Sequence, residues 1–374
     1  MQLSVIILNY NVRYFLEQCV LSVQKALEDI DGEIIVIDNS SSDDSCDMMK
    51  TKFPHIKLID NKYNLGFPKG NNIGVAQAKG EYVCVLNPDT VVAEDTFKKI
   101  LNSQLSTLNS QLGIIGCKLI DGAGNFLPES KRGVPTPWVA FTKIFGLYKI
   151  SNYFGKYYAQ HLSENESGKV DILVGAFMVM KRDLYLEVGG FDEDCFMYSD
   201  DIDLSYLVLK TGKSNYYFHE TSVIHYKGES TVRDGTYMKR FREAMQFFYK
   251  KHFKKSWFFD VMMQVGSFVF SLLKKNQQKN EVRIIDKYVV FSRENLELNL
   301  SKKATYLADF NQFVNQPQKN IEIIFDTTTF SFTEIITFMQ LNKSKNLSFK
   351  NYISSSNYLI GSNNSNDRGQ INLL

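Results

Sequence analysis

Four short polar clusters each follow an apolar run that reads as a buried strand: Asn9-Tyr10-Asn11, Asp38-Asn39-Ser40, Asp60-Asn61 and Asn87-Pro88-Asp89-Thr90. In an open parallel sheet, ligands bind in the crevice outside the carboxyl ends of the strands. Four such clusters at four strand ends therefore form one candidate constellation, although each alone would pass as an ordinary turn or cap. Tyr10 offers a ring for stacking on a base, and Asp38 a carboxylate that accepts from a base N–H or a ribose hydroxyl. Asp89, after the last of these strands, suits a hard divalent cation. Mg²⁺ takes one or two carboxylates and draws its remaining ligands from phosphates and water. Bridging a diphosphate, it would offset leaving-group charge as a Lewis acid. Together these point to a nucleoside diphosphate donor.

A second concentration lies in Phe191–Asp203, where six carboxylates fall within thirteen residues. Acids at a helix N-terminus complement its dipole, which would account for Asp200 and Asp201 on structural grounds alone. Phe196 and Tyr198 stand beside them. Partial burial among aromatics and like charges raises a carboxyl pKa into the range useful for a general base.

The elements that must position these groups alternate. Leu3–Leu8, Ile34–Ile37, Ile56–Ile59 and Tyr82–Leu86 read as strands. Between them lie a helical pattern from Phe15 to Leu27, a helix after Ser42-Asp43-Asp44 and a helix over Asn71–Lys79. Alternation of this size implies an α/β fold with a mostly parallel sheet flanked by helices. Further on, Gly113–Leu119, Val170–Met180, Tyr216–Phe218 and Ser222–His225 read as strands and Ile202–Lys210 as a helix. The tail carries strand patterns at Tyr288–Phe291 and Ile321–Phe325 and helical ones at Arg293–Leu300 and Phe332–Leu341, a small α/β unit. No GxGxxG follows the first strand and no GxxxxGK[ST] occurs, which removes dinucleotide-binding and P-loop fingerprints.

The 374 residues leave room for about two domains. A net charge of +2 argues against a dedicated nucleic-acid partner. Five scattered cysteines suggest neither zinc spacing nor a disulfide framework, only reduced thiols. Met1-Gln2 leads straight into the first strand with no signal-peptide pattern, and no apolar run reaches the ~20 residues of a spanning helix. The expected location is cytoplasmic.

The ordered set Val5–Asn11, Ile37–Asp43, Asn64–Phe67 with Gly70–Gly74, Leu86–Thr90, Gly175–Phe177, Gly189–Asp192, Tyr198–Leu204 and Val223–His225 resembles family 2 glycosyltransferases of the GT-A fold. The likeness is to the rhamnosyltransferase-like branch of bacterial surface-polysaccharide enzymes, over roughly residues 1–255. It implies inverting transfer of a sugar from a nucleoside diphosphate to an acceptor hydroxyl, the acceptor being a lipid-linked glycan. Asp38 would match the base- or ribose-binding aspartate and Tyr10 the residue beside the nucleobase, with Asn9, Asn39 and Asn87 in the same donor site. Lys69 would face the phosphates. Asp89 would match the last aspartate of the DxD-type motif, binding Mg²⁺ or Mn²⁺, although Asn87 replaces its first acid. Asp201 would match the acceptor-activating base, preceded by Asp200 where the family has glutamate. His225 would complete the metal or diphosphate site; a satisfied core histidine is the alternative.

Between Lys239 and Lys255 seven Lys/Arg face one acid, Glu243, and an apolar stretch, Trp257–Leu273, follows. Beside a packed inter-element helix, this pattern suits an interfacial anchor on an anionic leaflet. The expected division is thus a glycosyltransferase domain at 1–238, a basic and apolar membrane-surface segment at 239–280, and a small α/β unit at 281–374. That placement makes the protein peripheral on the inner face of the membrane. The tail has no chemical motif beyond the polar loop Gly361–Gly369, read as a loop. A nucleotidyltransferase lacks support because no basic Gly-rich loop follows the first strand. A catalytically silent nucleotide-sugar binder or scaffold stands as the alternative from another class.

Overall fold

The structure is a computed structural model. It describes residues 1–102, 111–144, 146–195, 197–227, 235–253, 283–364 and 368–374. The first elements alternate: β1 (Leu3–Asn9), α1 (Arg13–Ala26), β2 (Gly32–Asp38), α2 (Ser45–Lys52), β3 (Lys57–Asp60), α3 (Gly66–Ala76) and β4 (Tyr82–Leu86). There follow β5 (Thr90–Val91), α4 (Thr96–Asn102), β6 (Leu112–Ile120), α5 (Pro137–Ile144), β7 (Gly168–Val170), β8 (Phe177–Lys181), α6 (Arg182–Glu187), α7 (Asp200–Lys210), β9 (Ser214–His225) and α8 (Gly235–His252). Their strands form one sheet in the order β3-β2-β1-β4-β8-β6-β9-β5, with β7 on β9. β3, β2, β1 and β4 are mutually parallel. β8 enters antiparallel between β4 and β6, and β6 and β9 are again parallel.

The apolar run in β1 explains its place. Leu3, Val5 and Ile7 join the core under α1 and α2, whereas Ile6 and Leu8 join the core on the opposite face. A strand covered on both faces reads as continuous rather than alternating. On the second face α3 lies so close that a Cβ on Gly70 or Gly74 would sit 2.4 Å from Leu8 or Ile6. α3 starts at Gly66, earlier than the sequence pattern predicts, with Pro68 in the first turn where a missing N–H costs nothing.

Two predicted strands have different outlines. Val170–Met180 is broken into β7 and β8, and the intervening backbone turns toward α7. Tyr216–Phe218 and Ser222–His225 are one strand, β9, with an irregularity against β6 between Cys117 and Lys118.

The tail forms β10 (Lys287–Phe291), β11 (Ala304–Leu307), β12 (Ile321–Asp326), α9 (Phe332–Leu341), β13 (Leu347–Ile353), β14 (Tyr358–Gly361) and β15 (Gln370–Leu373). They make a second sheet, ordered β11-β10-β12-β13-β14-β15, parallel as far as β13 and antiparallel beyond. The predicted helix over Arg293–Leu300 is absent. Leu296, Leu298 and Leu300 instead pack together on the sheet cluster of Val290, Ile324 and Leu359. Their period is two, that of extended chain, not 3.6.

The two sheets share a core. Val12, Phe15, Val91, Ala93, Ile120, Ile224 and Tyr226 pack with Phe291, Phe325, Phe330, Phe332 and Phe349. Polar links border it. The Glu94 carboxylate accepts from the N–H groups of Phe332 and Thr333 (2.7 and 2.8 Å) and from the Thr333 hydroxyl (2.8 Å), at the start of α9. Glu17, fully buried, pairs with Lys52 (2.8 Å) and accepts from the Ser356 hydroxyl. Glu94→Ala leaves those two amides without the carboxylate that caps them, a loss of about 1 kcal/mol. Thermal melts are expected to show Tm lower by a few degrees, and an unchanged Tm would mean the cap contributes nothing.

α8 departs from the expected interfacial segment at 239–280. Phe248 and Tyr249 are buried against Ile202 of α7 and Ile172, so this part of the segment is packed rather than free. Trp257–Leu273 lies outside the described residues. Among the described residues no helix is long and apolar enough to cross a membrane.

Candidate active site

The parallel register sets Asn9 beside Asp38 and Asp38 beside Asp60, so the ends of β1, β2 and β3 form one row. Asp38 is buried, and its carboxylate accepts three hydrogen bonds of 2.7 Å, from Asn9 Nδ2, Ser41 N and Ser41 Oγ. Ser41 Oγ also accepts from the Asn11 amide at 2.9 Å. Asn39 works similarly one loop further on. Its Nδ2 donates to Asn64 Oδ1 (2.9 Å) and the Gly66 carbonyl (3.2 Å), while its Oδ1 accepts from Asn61 and the Leu65 amide. Asp38 and Asn39 therefore set the shape of the loops, and Tyr10, between β1 and α1 in the chain, is half-buried. Ser41 is a hub that the sequence reading passed over, because a serine in a serine run carries no distinguishing signal. Cys46 lies near Asp38 and Asp60; burial, then those two charges, push its thiol up to about 12 and keep it neutral.

The second group gathers where β5 crosses β9. Thr90 pairs with His225 in the sheet, which brings His225 Nε2 to 3.4 Å from Asp89 Oδ1 and 3.4 Å from Asn87 Nδ2. Asp89 and His225 are both buried. His225 Nδ1 has no partner among the described residues. A carboxylate oxygen and an imidazole nitrogen this close could serve a divalent ion, with further ligands left to phosphate and water.

The third group is the acid pair at the start of α7. Tyr198, two residues before Asp200, has φ of 82°, a costly conformation for an aromatic residue and one that concentrates at functional sites. Asn11, Ser40 and Lys227 also have positive φ, so among the described residues four of the six such non-glycine residues flank these three groups. Asp201 Oδ2 meets Arg132 Nη2 at 2.5 Å and accepts from the Gly175 amide at 3.1 Å. Arg132 also donates to the Leu173 carbonyl at 3.1 Å. Burial and then the neighbouring Asp201 raise the Asp200 carboxyl from the ordinary 3.8 to about 7. Phe196 is outside the described residues.

Behind Arg132 stands a charged network that the sequence did not announce. Burial works against ionising Tyr157, but Lys143 and Arg132 outweigh it and hold its hydroxyl below the usual tyrosine range. Burial likewise opposes Glu129, which Lys227 and His225 nevertheless hold below its ordinary value. Glu129 thus feels His225 on one side, and Lys143 feels Glu129, Tyr157 and Arg132 on the other. Lys69, expected at the phosphates, has its ammonium 3.6 Å from Glu193.

Residues 4–189 match the model described as Glycosyl transferase family 2. An N-acetylglucosaminyl-diphospho-decaprenol L-rhamnosyltransferase of Mycobacterium tuberculosis is 26% identical over 243 residues, 62% of this chain and 78% of its own length. The minor teichoic acid biosynthesis protein GgaB of Bacillus subtilis is 22% identical over 280 residues, 74% of this chain but 27% of its own. A mannosyltransferase from Pyrobaculum calidifontis, solved with GDP-Man and Mn²⁺, superposes with a TM-score of 0.47 at 17% identity, over 72% of this chain and 69% of that one.

Proposed function

Because residues 4–189 belong to glycosyl transferase family 2, we propose that the protein transfers a sugar from a nucleoside diphosphate to an acceptor hydroxyl with inversion. The acceptor is a lipid-linked glycan in surface-polysaccharide synthesis, met at the inner face of the membrane. Residues 1–238 form the transferase unit, and residues 281–374 a small α/β unit packed on it. A membrane-surface role rests on the 239–280 segment beyond α8.

The observation that supports this reading is a metal-type donor set, Asp89 with His225, at the ends of β4 and β9 of the same sheet whose other loops carry the buried Asp200–Asp201 pair and its Arg132 partner. The loops shaped by Asp38, Asn39 and Ser41, with Tyr10 and Asn9, receive the nucleoside. Asp89 and His225, with Asn87 beside them, would hold a divalent ion, which when bound would offer Lewis-acid stabilisation of the departing diphosphate. Asp201 takes the acceptor proton as the hydroxyl attacks, and Arg132 and the Gly175 amide fix the direction in which its carboxylate points. Inversion needs one such base and no covalent nucleophile; holding donor and acceptor in line supplies much of the acceleration.

The test is release of nucleoside diphosphate from a panel of nucleoside diphosphate sugars, with Mg²⁺ or Mn²⁺ and detergent-dispersed lipid-linked acceptors. Release should depend on one donor class, on metal and on acceptor. Asp89→Asn is expected to lower it by about 10²–10³-fold and to move the metal titration to higher concentration. Donor binding with no release across the panel would favour the silent binder; no donor binding would sink the nucleotide site.

A further inference from the structure

We infer that the last turn of α8, through Lys251 and His252, sets the position of the Asp200–Asp201 pair and so belongs to the catalytic apparatus without touching substrate. The inference rests on the reading of that pair as the acid–base centre.

The contact is made through Asp203, two residues beyond Asp201 on α7. Its side chain is fully buried; Oδ2 accepts from Lys251 Nζ at 2.8 Å and Oδ1 from His252 Nε2 at 2.5 Å. Its amide donates to the Ser199 carbonyl at 2.8 Å, so the carboxylate is tied to the first turn of the helix that carries the pair. Lys251 Nζ also meets Asp192 Oδ2 at 2.5 Å. A single ammonium thereby spans the segment from Asp192 to Asp203, which includes the strained Tyr198 and both acids.

His252 is oriented from three sides. Lys210 Nζ lies 2.8 Å from Nδ1. An ammonium only donates, so Nδ1 accepts and the ring proton is left on Nε2, facing Asp203. The ring stands edge-on to Tyr206 at 4.8 Å and tilts over Phe248 at 5.0 Å. Earlier on the same helix, Tyr249 Oη donates to the Pro135 carbonyl, three residues past Arg132. α8 therefore holds both partners of the Arg132–Asp201 bridge, one through Asp203 and the other through Pro135. Apolar packing of Met245, Phe248 and Tyr249 would suffice to attach the helix. A buried, hydrogen-bonded charge cluster adds little net stability over such packing. Its geometric effect is larger, because displacement of a reacting group by about 1 Å costs on the order of 10² in rate.

The experiment compares His252→Leu, His252→Gln and Lys251→Met in the full chain. A glutamine amide can donate to Asp203 and accept from Lys210, whereas leucine keeps the bulk and loses both bonds. His252→Leu and Lys251→Met are expected to lower kcat by about 10–100-fold with donor KM within about twofold, as befits a displaced reacting group. His252→Gln should remain within a few-fold of the parent. A second readout needs no donor: the inflection of Tm against pH near 7, due to Asp200, should move to lower pH in His252→Leu and stay in His252→Gln as the pair is opened to water or kept closed. Folded His252→Leu with kcat unchanged, or with the inflection unmoved, overturns the inference. If the parent releases no nucleoside diphosphate from any donor, the transferase reading fails, and the Tm profile still decides the role of α8.

Discussion

Asp201→Asn is expected to reduce nucleoside diphosphate release by about 10²–10⁴-fold, the range for loss of a general base, with donor affinity unchanged within about twofold. The amide retains an oxygen that can accept from Arg132 and from the Gly175 amide, so the shape of the site persists while its proton acceptor is gone. The donor end, built on Asp38, Asn39 and Asp89, is untouched. One complication has a definite sign. Arg132 is buried, and removing its carboxylate counter-charge leaves the guanidinium with the Leu173 carbonyl, Tyr157 and a neutral amide, a loss of up to about 3–5 kcal/mol. The single variant should therefore melt several degrees lower. Asp201→Asn combined with Arg132→Met should recover much of the stability and none of the turnover. Calorimetric donor binding, melting and turnover on the same preparations separate the effects. Turnover within tenfold of the parent would remove Asp201 from the base role.

Asp200→Asn is expected to stabilise the protein above neutral pH. Asp200 faces Asp201, beyond it the Arg132 cation, and the Cys195 thiol. Its carboxyl rises from 3.8 to about 7 on folding, burial being the first cause and Asp201 the second. The folded state thus holds the proton more tightly than the unfolded chain. Stability is fully present below the unfolded value and is lost as pH rises toward 7, after which the native protein carries a buried carboxylate whose backbone donors and Arg132 do not offset burial and the like charge of Asp201. At ~1.4 kcal/mol per unit the cost at pH 8 is on the order of 2–4 kcal/mol. An amide avoids it, so the Tm advantage of the variant should appear between pH 5 and 8 and vanish near pH 4. Activity moves with it. The parent's kcat/KM should fall as pH drops through about 7, where Asp200 takes up its proton. Without a carboxyl at position 200, that limb should be lost. A Tm difference independent of pH would show that Asp200 is not the group that titrates.

The sequence carried the frame of this site and less of its interior. The runs in β1, β2 and β4 announced buried parallel strands, and the polar residue after each marked a strand end, because period and burial are local properties. The acid pair was legible as an acidic helix start. Arg132 was not: it lies in an irregular stretch, and its partner is 69 residues away along the chain. Nothing local distinguishes a lone arginine that will be buried from one that will be solvated. Lys251 and His252 were hidden differently, inside a basic run whose average character suggested a membrane surface while two of its members turned inward. The Arg293–Leu300 misreading shows a third cause. Arg, Glu and Leu favour helices by propensity, but the alternation of Leu296, Leu298 and Leu300 matched the sheet they cover.

The core shared by the two sheets bears on how such a chain can change over time. Val12 and Phe15, at the start of the helix that follows Tyr10 and Asn11, lie in one apolar cluster with Phe291, Phe325 and Phe349. Deleting the second sheet would bare that cluster directly beside a nucleotide loop, so the tail is not a detachable appendage that recombination can trade freely. Substitutions in its phenylalanines and in Val12 or Phe15 of the first helical segment act on one shared core and should be non-additive. The tail is thereby tied through its core to the segment that follows β1.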